Sequence, residues 1–377
     1  MIGDGVRVGA FLASFFAAAG ILAAFLPLWL SDRGFSAALI GNVLGAASLV
    51  RVAAVPGWGW VADRLGRHRA ALLIAAAVAS FSAAALPSTP SVAAIAALIV
   101  GGGIAAAALA PLTDAVTLAL AGAGRLDYGR TRAWGSVAYM IAIALGGSLL
   151  ARAGTAAVPW LIAGGYGLAA VLATGLPSDE GVGRVPLSIK AAPLGPAFRA
   201  TLLASVLIQG SHAAYYAFAS LLWRSAGISD SVIGLLIAEG IVAEIALLVW
   251  GRGLVEWLGP ARLTALAASA CLLRWTGLAL TTSVPLLALL QLLHAVTFTC
   301  QHLSSMSVLR TLPPARAGLA QTLLSSLGFS APTAILTWIS GRLYAGLGGK
   351  VFLLMAALGG LALLVAPRLP AGRHRSG

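Results

Sequence analysis

The sequence predicts an all-α membrane protein of twelve transmembrane helices in two six-helix halves, and three observations carry that expectation. Of its 377 residues 60% are hydrophobic and only 9% charged, with a mean hydropathy of +0.96. A water-soluble globule of this length needs more polar surface than that, so the bilayer is the solvent. The apolar residues fall in runs of about 20, the length at which a helix crosses the hydrocarbon core with its backbone groups satisfied internally. The third observation is an internal repeat at an offset of 193 residues.

Apolar runs between turn signals place the spans in order. The first, 7–29, exceeds the apolar core of a secretion signal and is followed by more spans, so it is read as a retained helix. The second, 37–62, ends in the charged stretch GWGWVADRLGRHR at residues 57–69. The third and fourth, 70–87 and 92–117, are separated by a Pro- and Ser-containing turn. The fifth and sixth are 132–152 and 158–176. A polar stretch rich in Gly and Pro, 177–196, then reads as a linker between an N-terminal half, 1–176, and a C-terminal half, 197–377. The second half supplies spans at 197–223, 231–253, 261–281, 285–309, 317–341 and 350–368.

Charge orients the chain. An even number of spans puts both termini on one side, and the loops on that side carry 17 of the 24 Lys and Arg residues, against five opposite. By the positive-inside rule the termini and the Asp63 loop are cytoplasmic, in a cell inner membrane. The net charge of +13 is thereby explained without nucleic acid, and no basic domain exists to hold it. Cys271 and Cys300 both lie in spans, which argues against a disulfide framework or thiolate metal site. No cofactor or metal is expected, and no phosphate loop, metal array or nucleophile–base set marks the chain as an enzyme. A monomer is expected.

The 193-residue shift places Gly34, Ser36, Ile40 and Gly41 on Gly227, Ser229, Ile233 and Gly234, and Leu65, Gly66 and Arg69 on Leu258, Gly259 and Arg262. Six helices separate the copies, so the repeats are parallel, about an axis along the membrane normal. Gly41 and Gly45 form a GxxxG pair, echoed by Gly234 and Ala238, of the kind that lets helices approach closely.

Gly59 followed by Asp63, Arg64, Gly66 and Arg67 resembles the signature between the second and third helices of the major facilitator superfamily. That resemblance covers the whole chain and implies a transporter that rocks two halves about a midplane site. A narrower resemblance is to the phenylpropionic acid permease family, related to the lactose permease and nucleoside proton symporters. It rests on PLWLSDRGFS at Pro27, PLTDAVTL at Pro111, GRTRAWGS at Gly129, HAAYYAFASLLW at His212, IGLLIAEGIVAE at Ile233, LLRW at Leu272 and QLLHAVTF at Gln291. It implies proton-coupled symport of a small aromatic or carboxylate substrate. Rivals on the same fold are a drug/proton antiporter and a sugar or nucleoside symporter; a more distant one is a non-transporting membrane sensor.

Charges within spans are costly, so they are paired or face a water-filled cavity. Arg51 lies about 21 Å from the outer end of its helix and Glu244, its repeat counterpart, about 20 Å; Glu239 and Arg274 lie about 10–12 Å down. Glu239 and Glu244 are five residues apart, about 140° around the helix, so they point different ways. One of the two, Glu244 ahead of Glu239, is expected to carry the proton, with His294 as a relay. The alternative is a static Glu239–Arg274 ion pair joining the eighth and ninth spans. Arg51 either grips a substrate carboxylate with its planar fork or balances Glu244. His212, Tyr215 and Tyr216, with Gln291, are expected to line the substrate site. Phe25, Trp29 and Phe298 are expected to sandwich a planar ligand there. The cytoplasmic gate is expected at Gly59, Asp63, Arg64, Gly66, Arg67, Asp114 and Arg132.

Overall fold

In the computed structural model residues 3–65, 67–177 and 195–371 are described. They form sixteen α-helices and no strand: α1 Asp4–Asp32, α2 Ala37–Leu65, α3 His68–Ala85, α4 Val92–Ala106, α5 Leu109–Gly122, α6 Tyr128–Ala153, α7 Ala157–Ala173, α8 Pro196–Gly210, α9 Ala213–Ser225, α10 Asp230–Trp250, α11 Arg252–Leu280, α12 Val284–His294, α13 Gln301–Leu309, α14 Pro314–Ser325, α15 Ala331–Leu347 and α16 Val351–Leu363. Each of the twelve expected spans falls on helix. Among the described residues nine helical stretches are long and apolar enough to cross a membrane. The expected linker lies outside the described residues, except at its two ends.

Spans that the sequence shows as single runs are divided for local chemical reasons. The fourth breaks between α4 and α5 at Ala107 and Ala108, because Pro111 has no N–H and its ring crowds the carbonyl four residues back. The tenth, α12 to α13, carries a π-helical turn at Ala295–Cys300, and the eleventh, α14 to α15, carries one at Ser326–Ser330. Inside α11, Gly259 adopts φ 67° ahead of Pro260, so that helix turns sharply before the ninth span begins.

The repeat is visible in the helix ends. Gly34 and Gly227, 193 residues apart, have φ of 81° and 84°, where a side chain would be strained. Around each, the next N–H bonds back to a carbonyl of the preceding helix, Phe35 to Leu30 and Ile228 to Trp223, both at 3.0 Å. Both first helices of the repeat therefore end in the same glycine-terminated cap.

The described residues divide into two compact units, one within the bounds Met1–Phe35, Ala46–Pro186 and Ser229–Leu235, the other within Ser36–Gly45, Leu187–Ile228 and Leu236–Gly377. In the first, α1 packs along α6 and α7, and α3 lies against α7. In the second, α11 lies against α16, and α8 is surrounded by α13, α15 and α16. Gly41 belongs to the second unit, where a Cβ on it would stand 2.8 Å from the Gly341 Cα. Gly234 belongs to the first, where it meets the backbone of α6 at Gly147 in the same way. The glycines of the GxxxG pattern thus mark backbone-to-backbone crossings.

Candidate functional site

The seventh span opens where its polar cluster begins. Ser211 Oγ donates to the Ile208 carbonyl at 2.6 Å, and His212 Nδ1 reaches the same oxygen at 3.0 Å. The His212 main-chain N–H turns instead to the Gln209 carbonyl, 3.2 Å away. Side chains have taken the acceptor the next turn would have used, and the helix breaks between α8 and α9. The break sets the His212 ring in a sealed position, edge-on to Trp275 at 5.0 Å and to His294 at 5.6 Å.

Opposite stands Arg274 on α11, fully buried. Its Nη2 donates to Gln291 Oε1 at 2.9 Å, and its Nη1 donates to His294 Nδ1 at 3.0 Å and Thr297 Oγ1 at 3.3 Å. Its carbon centre lies 4.6 Å from the Tyr215 ring and 4.5 Å from that of Trp275, so aromatic faces balance part of the charge. Gln291 Nε2 donates to the Tyr215 hydroxyl at 2.6 Å and the Leu236 carbonyl at 2.9 Å. The guanidinium is thus held by neutral groups. This corrects the expected Glu239–Arg274 pair: Arg274 turns towards α12 and the π-helical turn, and Glu239, half-buried on α10, makes no ion pair among the described residues.

The donors fix the tautomer of His294. A guanidinium only donates, so Nδ1 must accept and the ring proton of the neutral imidazole sits on Nε2. That nitrogen faces Glu244 Oε2 at 3.5 Å. Gly240 makes this approach possible, since a Cβ there would stand 3.2 Å from the His294 Cβ. Glu244 follows about one turn later on α10 and remains partly open, with a side-chain exposure of 22% against 7% for His294. Phe298 stacks on His294 at 5.7 Å, and the His212 and Tyr216 rings stack at 5.9 Å.

The expected polar and aromatic residues of the C-terminal half therefore come together, but His212, Tyr215 and Gln291 are sealed and bonded to one another or to Arg274 and Thr297. Sequence reasoning missed Thr297, which accepts from Arg274 and lies 3.1 Å from His212 Nε2. It also missed a second buried network below the first. Thr264 donates to Gln301 at 3.0 Å, Gln301 donates to Ser205 at 3.1 Å, and Ser304 donates to the Pro260 carbonyl at 2.9 Å. A signal was present: Gln291, His294, Thr297 and Gln301 recur at three- and four-residue steps along one helix face.

In the other unit the expectations separate. Phe25 and Trp29 are packed in the core in this conformation: Phe25 is fully buried over Gly146, and Trp29 is covered by the Arg33 guanidinium 5.5 Å away. Both sit where α1 is packed on all sides, which the composition of one helix cannot reveal. Arg51 is exposed on α2 and among the described residues makes no hydrogen bond or ion pair. Asp114 pairs with Arg132 at 3.5 Å, and the Arg132 guanidinium lies 4.4 Å above Phe16. Arg64 covers Trp60 at 5.2 Å, Arg67 is exposed and Gly59 is half-buried. Gly66 and the Asp63 side chain lie outside the described residues.

The family described as "MFS_1 like family" matches residues 6–355. The chain is 30% identical over 364 residues to a "Probable 3-phenylpropionic acid transporter" of Escherichia coli (strain K12), covering 94% of this chain and 95% of that one. Among solved structures, the nucleoside transporter NupG superposes with a TM-score of 0.80 at 15% identity, over 97% of this chain and 98% of that one. A D-xylose-proton symporter superposes with a TM-score of 0.74 at 15% identity, over 98% of each. The two structures show a shared fold along nearly the whole chain, and the family match covers residues 6–355 of it. The chain belongs to the MFS_1 like family and is a multi-pass secondary transporter of the major facilitator superfamily, with a small-molecule substrate, and not an enzyme.

Proposed function

We propose that this transporter is a proton symporter of a small aromatic carboxylate, working by alternating access of two six-helix halves. The observation that carries the proposal is the line from Arg274 through His294 to Glu244. His294 has its lone pair committed to Arg274, so a proton entering here goes to the Glu244 carboxylate, the one acceptor of the line that is partly open. A protonated Glu244 loses its charge-assisted contact with the His294 Nε2–H, and that local change is what a rocking motion would couple to. Glu239 faces elsewhere on α10 and serves as an auxiliary proton site.

Arg51 supplies the fork for the substrate carboxylate, because it carries a charge inside a span and has no protein acceptor among the described residues. The aromatic part of the substrate reaches His212, Tyr215, Tyr216 and Phe298 in a state where their cluster opens. The name of the E. coli relative points to the same chemical class. Gly59, Asp63, Arg64, Gly66, Arg67, Asp114 and Arg132 form the gate on the cytoplasmic side, where loop charge also places both termini. The transporter acts as a monomer in the inner membrane and needs no nucleic acid.

Uptake of labelled 3-phenylpropionate into proteoliposomes under an inward proton gradient tests the proposal. Accumulation supports symport. Exclusion of the label supports efflux, and an absence of flux for any ligand supports a sensor; either overturns it.

A further inference from the structure

The N-terminal unit carries a groove whose lining includes none of the residues proposed above for transport. The helices α6 and α7 barely touch after their short connection, and α1 forms the floor of the wedge between them. The cavity is about 570 Å³ and is lined by Ala18, Ile21, Ala142, Leu145 and Gly165, with Arg152 at one end. Small residues keep it deep: a Cβ on Gly165 would already stand 2.8 Å from the Ala18 Cβ. From Arg152 to Ala142 the groove runs about 15 Å along α6, half of a hydrocarbon core of about 30 Å, and so spans one leaflet.

Three features set the level of Arg152. It lies in the last turn of α6, just before Thr155, which donates to Asp32 Oδ2 at 2.5 Å where α1 ends. Trp160, 58% exposed, sits at the same end, as interfacial tryptophans do. The Arg152 side chain is exposed and makes no hydrogen bond or ion pair among the described residues. An apolar concavity inside the hydrocarbon loses packing contacts when it is empty, and apart from Ser148, whose hydroxyl donates to the Ala144 carbonyl, and Arg152 its wall gives water nothing to bond.

We infer that this groove is a binding site for an anionic phospholipid, one acyl chain lying between α6 and α7 and the phosphate resting on Arg152, in the leaflet on the Asp32 side. The chain fills the apolar wedge, and the guanidinium forks onto the phosphate oxygens. Headgroup charge complements Arg152, which separates this site from the ordinary lipid-facing surface.

Native mass spectrometry of the full-length protein, titrated with dioleoyl-phosphatidylglycerol or dioleoyl-phosphatidylcholine, tests the inference. One phosphatidylglycerol is expected to bind in preference to phosphatidylcholine. Arg152→Ala is expected to weaken it about fivefold, the factor for one basic residue near an anionic surface, while Arg152→Lys retains most of it. Ala142→Phe, which fills the foot of the groove, is expected to abolish it; unchanged elution and helix content of each variant show that the fold persists. Equal binding of the two lipids, or binding indifferent to both Arg152→Ala and Ala142→Phe, overturns the inference. Displacement of the lipid by 3-phenylpropionate at transport concentrations does so too, since the groove would then belong to the substrate.

Discussion

Arg274 Nη1 donates to His294 Nδ1 across 3.0 Å, and this one bond decides which edge of the imidazole faces Glu244. A buried cation is thereby used to orient a neutral ring. Without it the imidazole could flip, and the line from α11 to α10 would lose its direction.

Replacing Arg274 tests that arrangement. Arg274→Ala strands Gln291 and His294 in a dry interior and is expected to cost about 3 kcal/mol of stability. Arg274→Lys keeps the charge but has no fork to span Gln291, His294 and Thr297 at once, so it restores less than half of the uptake. Thermal melting in detergent, alongside uptake, reads both effects.

Gly41 crosses Gly341 so closely that a Cβ would meet its Cα at 2.8 Å and the Thr337 carbonyl at 2.9 Å. Backbone cannot move aside as a flexible side chain can. Gly41→Ala is expected to destabilise the protein by about 1–3 kcal/mol and to slow transport at saturating substrate. An unchanged melting temperature would contradict the crossing.

Arg51 has the opposite signature, because it is exposed and makes no protein bond among the described residues. Arg51→Ala is expected to leave the melting temperature within a degree or two of wild type. It should raise the KM for an aromatic carboxylate about tenfold or more, the loss of a charge-assisted contact. The neutral amide of the same acid should compete no better with wild type than with the variant.

Asp114 and Arg132 are about one-third exposed at 3.5 Å, so their pair contributes under about 1 kcal/mol to stability. A gate role predicts that Asp114→Asn lowers the uptake rate several-fold without a matching change in melting temperature. The swap Asp114→Arg with Arg132→Asp should recover part of the rate.

Much of this was legible in the sequence, for identifiable reasons. Span positions follow from composition and length, since the bilayer leaves helices few alternatives. The paired turns at Gly34 and Gly227 follow from the repeat, and Gly41 from its GxxxG spacing. Glu244, Arg274 and His294 stand out because charge is rare inside spans. Partner choice was less legible. Depth along a helix put Glu239 level with Arg274, but the rotation of α10 and the π-helical turn at Ala295–Cys300 decide which side chains meet. Neutral networks such as Thr264–Gln301–Ser205 give no charge signal, and a buried Phe25 looks in sequence like one that lines a cavity.

The central claim is that Glu244 carries the coupled proton, and Glu244→Gln in proteoliposomes tests it most directly. The account predicts that the variant still exchanges internal for external 3-phenylpropionate but no longer accumulates it under an inward proton gradient. Accumulation equal to that of wild type would contradict it.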